Sequence, residues 1–412
     1  MLTRSGQADL PLHNGKVPQW LYERMAKMAR AIVEAVLADY GKSSFLSRIS
    51  DPYWFQALGS VLGMDWHSSG ITTSVMGALK QAINPISKEV GLYVCGGRGG
   101  YSRRTPDELM YYAGKTGLDG DALVRSSRLT AKVDNTAIQD GFQIYLHSFI
   151  IADTGEWSVI QQGMNGPIGM ARRYHWHSPG VRSFVDEPHA CIVGENLGMI
   201  LNLTDRAAGK TRQGILEITR ERPAKMIDEI RLMVLPSHHD ITYRDVDMKR
   251  LGAVLAIAYD RKFRDFEDLL LLDGLGPKTL RSLTLVSEVI HGTPSRFRDP
   301  ARFSFANGGK DGKPFPVQTT VYDETFQYLR HAIDKAKLGI HDKQRAIRGL
   351  VPMIEKLEQN FIPNMEHFSR FIRKEISDAP EYGGKTSADK TSNGRKTRKR
   401  TAPSEKQLSL FS

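Results

Sequence analysis

From Phe142 to Ile150 the chain alternates strictly: Phe142, Ile144, Leu146, Ser148 and Ile150 share one parity, and Gln143, Tyr145 and His147 share the other. Period two commits this segment to a β-strand, because successive side chains of a strand point to opposite faces. Asp153-Thr154-Gly155-Glu156 supplies turn residues, and Trp157-Ser158-Val159-Ile160-Gln161 returns, so the segment reads as a β-hairpin. Parity alone puts Gln143, Tyr145 and His147 on one polar face, with Gln161 and Gln162 straddling the returning strand.

The rest of the first half mixes short apolar runs with polar, aromatic and His-rich clusters, and two helical patterns open it, over 17–40 and 71–84. The second half is dominated by helical spacing, including 325–338 and 341–358. The expected fold class is therefore α+β. A mixed domain with a hairpin-containing sheet occupies 1–240, and a mainly α-helical domain follows over 241–375. A disordered basic tether over 376–406 and a terminal peptide over 407–412 complete the chain. At 412 residues with 40% hydrophobic content, the chain is long enough for two or three cores. It has only two cysteines, Cys95 and Cys191, so neither a disulfide framework nor a Cys-rich zinc knuckle is available. With no span-length apolar run and no signal-like amino terminus, the expected setting is the cytoplasm, with no membrane partner. A net charge of +11 favours a polyanionic partner without separating DNA from RNA.

Around the hairpin, titratable residues crowd one stretch. Asp134 and Asp140 precede it; Arg172-Arg173-Tyr174-His175-Trp176-His177 and Asp186-Glu187-Pro188-His189 follow it. Carboxylates, imidazoles and arginines together are what metal-assisted phosphodiester hydrolysis uses. In that reading Asp134, Asp140, His175 and His177 hold Mg²⁺ or Mn²⁺, and Arg172 or Arg173 neutralises charge developing on phosphorus. Gln161, Glu187 and His189 complete the expected catalytic set. The bland alternative is a set of half-buried side chains bonded to backbone, with Asp140 capping the turn before the hairpin. The Gly-rich run Cys95-Gly96-Gly97-Arg98-Gly99-Gly100-Tyr101-Ser102-Arg103-Arg104 lacks the Lys-Ser/Thr of a nucleotide-binding P-loop, yet suits phosphate contact.

In the second half, Glu267-Asp-Leu-Leu-Leu-Leu-Asp-Gly274-Leu275-Gly276-Pro277-Lys278-Thr279-Leu280-Arg281 sets two helices around a Gly-hydrophobic-Gly turn. This resembles the helix-hairpin-helix motif of DNA repair proteins. Gly274 and Gly276 permit the tight turn, Pro277 suits the first helical position, and Lys278, Thr279 and Arg281 complete a surface for backbone phosphate. Such contacts position a protein on DNA without reading bases. The glycosylases of that superfamily place a catalytic aspartate a few turns after the hairpin; Asp323 comes later and reads as a helix cap.

Between Ala379 and Lys406 large apolar residues are almost lacking, while Arg395-Lys396-Thr397-Arg398-Lys399-Arg400 concentrates charge. A chain of that length has an r.m.s. reach of about 30 Å. At its end, Gln407-Leu408-Ser409-Leu410-Phe411 resembles the peptide by which bacterial replication and repair proteins dock on the sliding clamp. Gln407 would bond at the groove edge, and Leu408, Leu410 and Phe411 would fill pockets. The alternative is that these residues fold back as a terminal cap.

Leu10-Pro11-Leu12-His13-Asn14-Gly15, Asp65-Trp66-His67-Ser68-Ser69-Gly70, Val133-Asp134-Asn135-Thr136, Gln161-Gln162-Gly163-Met164-Asn165, Ala171-Arg172-Arg173-Tyr174-His175-Trp176 and Leu201-Asn202-Leu203-Thr204 together resemble the prokaryotic family known as domain of unknown function 763. The resemblance runs from Leu10 to about Glu358 and implies a shared fold without an activity. The expected function is a clamp-recruited DNA-binding protein of repair or replication, acting as a metal-dependent nuclease in or near the nucleoid. The alternatives are a glycosylase-like base-excision enzyme and a non-catalytic DNA-binding adaptor.

Overall fold

The computed structural model describes residues 3–4, 10, 17–64, 69–232, 248–301, 307–308, 314–315 and 317–359. They belong to one compact unit, Met1–Gly308 with Pro314–Asn360. The other unit, Gly309–Lys313 with Phe361–Ser412, lies outside the described residues, and with it the tether and the terminal peptide expected from sequence. His238 and His239 and the side chain of Asp323 lie outside them as well.

The expected hairpin forms the middle of a five-stranded antiparallel sheet. Its strands are β1 (Leu92–Arg98), β2 (Gln143–Ala152), β3 (Trp157–Asn165), β4 (Met170–His177) and β5 (Cys191–Val193), hydrogen-bonded in that order. The mixed α and antiparallel β architecture expected from the sequence is thus present.

Cross-strand partners share a face, so the register divides the sheet's side chains into two sets. Val94, Ile150 and Ile160 join one apolar cluster, packed on α1 (Gln19–Ser50), α2 (Pro52–Val61) and α3 (Gly70–Ile83). Cys95, Phe149, Val159 and Trp176 join the second cluster, which continues through α4 (Thr105–Thr116), α5 (Gly120–Lys132) and the helices of the second half. The sheet is therefore a middle layer, covered on both faces. Alternation remains visible because each face meets a different core.

The pairing of β2 with β3 corrects one sequence expectation. The register shifts between Ile144 and Leu146, so strict parity fails at Tyr145. A bulge places an extra residue opposite its partner strand and turns the residues before it over. Gln143 and Tyr145 consequently leave the face of His147, and the Tyr145 hydroxyl accepts from Gln162 Nε2 on the α3 side.

The helical pattern at 17–40 continues to Ser50, interrupted by Gly41, whose φ of 78° is left-handed. Later in the chain, α6 (Phe266–Leu270) and α7 (Pro277–His291) form the expected helical hairpin. Two further helices, Thr319–Lys335 and Ile340–Gln359, match the expected pair, and Tyr328, Leu329 and Ile333 of the first join the α1 core. Tyr328 lies 3.9 Å from Tyr40, ring centre to ring centre, and Arg48 sits 3.5 Å above its ring. No helix among the described residues is long and apolar enough to cross a membrane.

Candidate functional site

The polar residues around the hairpin gather into two groups, one on each face of the sheet. On the face away from α1, Asp134 sits in a π-helical turn, Val133–Ala137, that ends α5. Such turns occur often at functional sites because they re-aim a side chain. Fully buried, Asp134 accepts from Gln161 Nε2 at 2.5 Å, Trp176 Nε1 at 2.9 Å and His189 Nε2 at 2.5 Å. Burial raises its pKa, and the neighbouring His189 pulls the other way.

The Gln161 amide donates to Asp134, so its oxygen is an acceptor, and His147 Nδ1 donates to it at 2.9 Å. His147 Nε2 then accepts from the Ser127 hydroxyl at 2.9 Å. This chain needs a neutral imidazole, and burial holds the His147 pKa down at about 4. Ser127, on α5, gave no sequence signal because a lone Ser inside a helix is unremarkable.

Farther along the same face, Asp140 accepts from Phe142 N at 3.0 Å, the cap anticipated from sequence. It also takes Arg172 Nη1 at 2.7 Å and the Tyr174 hydroxyl at 2.6 Å. Arg172 reaches past it to Asp299, with Nη1 at 3.1 Å and Nη2 at 2.9 Å from that carboxylate. All three charged side chains are buried. Asp299 was missed in the sequence, since only the fold brings it to Arg172 across 127 positions.

The opposite face holds Arg173, His175 and Gln162. Arg173 Nε lies 2.8 Å from His175 Nε2, Nη1 is 3.3 Å from Thr72 Oγ1, and Nη2 is 3.2 Å from Gln56 Oε1. The guanidinium stands 4.4 Å over the Phe55 ring. Burial lowers the Arg173 pKa to about 9 and holds His175 well below its ordinary value, with the Arg173 charge adding to the latter.

These placements separate residues that the sequence reading joined. Asp134, Asp140, Gln161, Arg172 and His189 share one face; Arg173 and His175 lie behind the sheet. His177, at the end of β4, pairs with Glu156 at 2.9 Å, and Glu187 makes an exposed pair with Arg206. The four residues expected to hold a metal are divided by the sheet, and among the described residues no three His, Cys, Asp or Glu side chains are grouped to hold one. Asp134 and Asp140 are buried, and each carboxylate accepts from three donors.

The hairpin lies on the same side as Asp134. Gly274 has φ 88°, a left-handed value that favours glycine, and Gly276 opens α7 with no side-chain cap. Lys278 is exposed beside that opening. The turn is braced from outside: Lys132 Nζ donates to Leu275 O at 2.8 Å and Arg250 Nε to Gly274 O at 3.2 Å. Two of the expected contact residues are spent internally. Thr279 is buried, and Arg281 Nε donates to Gln139 Oε1 at 2.6 Å while Gln139 Nε2 donates to Pro277 O.

The family model described as "Protein of unknown function (DUF763)" matches residues 6–317. The chain belongs to that family. Neither a curated protein nor a solved structure matches the chain. The DUF763 match takes in the sheet, both polar groups and the hairpin, and ends at 317, before the two helices that the sequence reading had included.

Proposed function

We propose that this DUF763 protein is a DNA-binding adaptor that grips the phosphate backbone through its helical hairpin and is recruited to DNA by a sliding clamp. The observation that carries the reading is the opening of α7. A glycine turn with left-handed Gly274 leads into a 15-residue helix whose first amides have no side-chain cap, beside the exposed Lys278. Backbone amides and the helix dipole there favour an anion, and bare glycine lets a phosphate approach. Gly274, Gly276 and Lys278 carry the contact in this reading, with Thr279 and Arg281 supporting the hairpin from inside.

Recruitment rests on the sequence: the basic tether and the peptide Gln407-Leu408-Ser409-Leu410-Phe411, which suits insertion into the clamp's groove. Together they favour work at the bacterial nucleoid. The binding reading is preferred to phosphodiester cleavage or base excision because Asp134 and Asp140 are buried, and each carboxylate already accepts from three protein donors.

The test uses the full chain with end-labelled flap, nicked, single-stranded and damaged duplex DNA, each with Mg²⁺, Mn²⁺ or chelator. Binding without any cleaved or base-excised product is expected. A metal-dependent product removed by Asp134→Asn would reinstate the nuclease, and metal-independent release of a base would reinstate the glycosylase.

A further inference from the structure

On the α1 side of the sheet, a cavity of about 1000 Å³ opens between α3, the start of α1 and the end of β1. That volume is at the upper end of pockets that enclose small organic groups, roughly 300–1,000 Å³. Its walls are chiefly apolar, with Leu21, Met64, Met76 and Leu146 among them, and Thr73 and Ser148 supply hydroxyls.

The mouth has the opposite character. The strand β1 runs out into the turn Gly99–Arg104, where Arg98 and Tyr101 line the cavity. Arg103 and Arg104 are exposed farther along the turn, Arg104 in a neighbouring hollow with Asp107 and Glu108. None of the three arginines has a carboxylate partner among the described residues. Tyr101 is 58% exposed between them, with Arg104 5.2 Å over its ring, and Arg98 stands 5.8 Å over Tyr145.

The loop is held in place by a pair that leaves these arginines alone. Glu108 accepts from Gly96 N at 2.7 Å and from Lys80 Nζ at 2.7 Å, and Lys80 also donates to Gly96 O. Gly96 itself has φ 81°, and a Cβ there would lie 2.3 Å from His147 O. Lys80 is thus paired with Glu108, while the Arg98 guanidinium at the cavity wall is left for another anion.

A phosphate alone would leave the apolar cavity without a use, and an apolar ligand would leave the arginines without one. A group that is planar and apolar on one side and phosphorylated on the other satisfies both. Exposed tyrosine beside arginine is also how unpaired bases are stacked along a basic groove. We infer that this cavity takes one unpaired nucleotide of single-stranded DNA, the base inside beside Tyr101, its phosphate on Arg98, and the adjoining backbone along the turn that carries Arg103 and Arg104. The inference rests on the DNA-binding reading but uses a different surface from the hairpin.

The experiment is fluorescence anisotropy of the full chain with a labelled oligothymidylate of about a dozen nucleotides, and with a duplex of equal length. The double variant Arg98→Ala/Tyr101→Ala changes exposed side chains only, and an unchanged melting temperature confirms that it folds. It is expected to bind the single strand about tenfold more weakly or worse, given what stacking contributes, and the duplex as before. An oligomer with abasic sites should bind wild type more weakly, yet bind the variant no worse than the base-bearing oligomer. Equal single-strand binding by variant and wild type would overturn the site, as would equal binding of abasic and base-bearing oligomers by wild type. Thymidine monophosphate binding as tightly as the oligomer would instead make the ligand a free nucleotide. A Gly274→Val/Lys278→Ala variant separates the two readings. If duplex binding survives it, the hairpin grip fails, while the single-strand comparison still decides the cavity.

Discussion

His147 shows how one side chain ties the fold to pH. Buried between Ser127 and Gln161, it titrates at about 4, below the ordinary histidine value of about 6.5. The unfolded chain therefore binds the extra proton first as pH falls. The stability held at neutral pH is lost progressively below about 6.5 and down to about 4, a loss of about 3 kcal/mol for this group. His147→Gln should flatten that part of the acid limb in urea midpoints taken at several pH values between 7 and 4; a variant with the wild-type slope would contradict the assignment. Charge at Arg172 is a second residue-scale case. Arg172→Ala leaves Asp140 and Asp299 buried without their cation and should cost about 3–5 kcal/mol. Glu187→Ala breaks only an exposed pair and should cost less than about 1 kcal/mol. Chemical denaturation of both variants checks the contrast, and equal losses would mean that Arg172 is less tightly bound into the core than its contacts imply.

At the scale of elements, the hairpin from Gln143 and both helices of 266–291 were legible because their signals are local: period two, a turn sequence, apolar spacing with a Gly-hydrophobic-Gly break. The division of the polar cluster was half legible. Arg172 and Arg173 are neighbours on β4, so alternation alone sets them on opposite faces, and the same rule separates His175 from Trp176. What the sequence hid was register. The bulge at Tyr145 depends on how β2 meets β3, and the role of Asp299 depends on a loop 127 positions away. The hairpin makes its own prediction at this scale. A Cβ at Gly274 meets nothing, so Gly274→Val is strained by φ alone, at roughly 1–2 kcal/mol. Combined with Lys278→Ala it should weaken binding alike on every duplex sequence and reduce the slope of log affinity against log salt by about one. A loss confined to some sequences would argue for base reading instead.

For the molecule as a whole, the proposed function joins a body that would hold DNA weakly and without sequence preference to a tail that would select where. The sheet is covered on both faces and its buried polar groups are bonded to one another, and the helical hairpin and the cavity beside Arg98 are the two separate contacts proposed on it. In that proposal clamp and DNA binding would reinforce each other: with both engaged, the second contact forms within one complex, and avidity can exceed either affinity by about 10²–10⁴. The decisive measurement is the affinity of the full chain for a primed circular DNA with and without a loaded bacterial sliding clamp, for wild type and for Gln407→Ala/Leu408→Ala/Phe411→Ala. Wild type is expected to bind the clamp-loaded DNA at least about tenfold more tightly, and the triple variant to bind both alike at the affinity of the body alone. Equal affinity of wild type for bare and clamp-loaded DNA would contradict recruitment by the clamp.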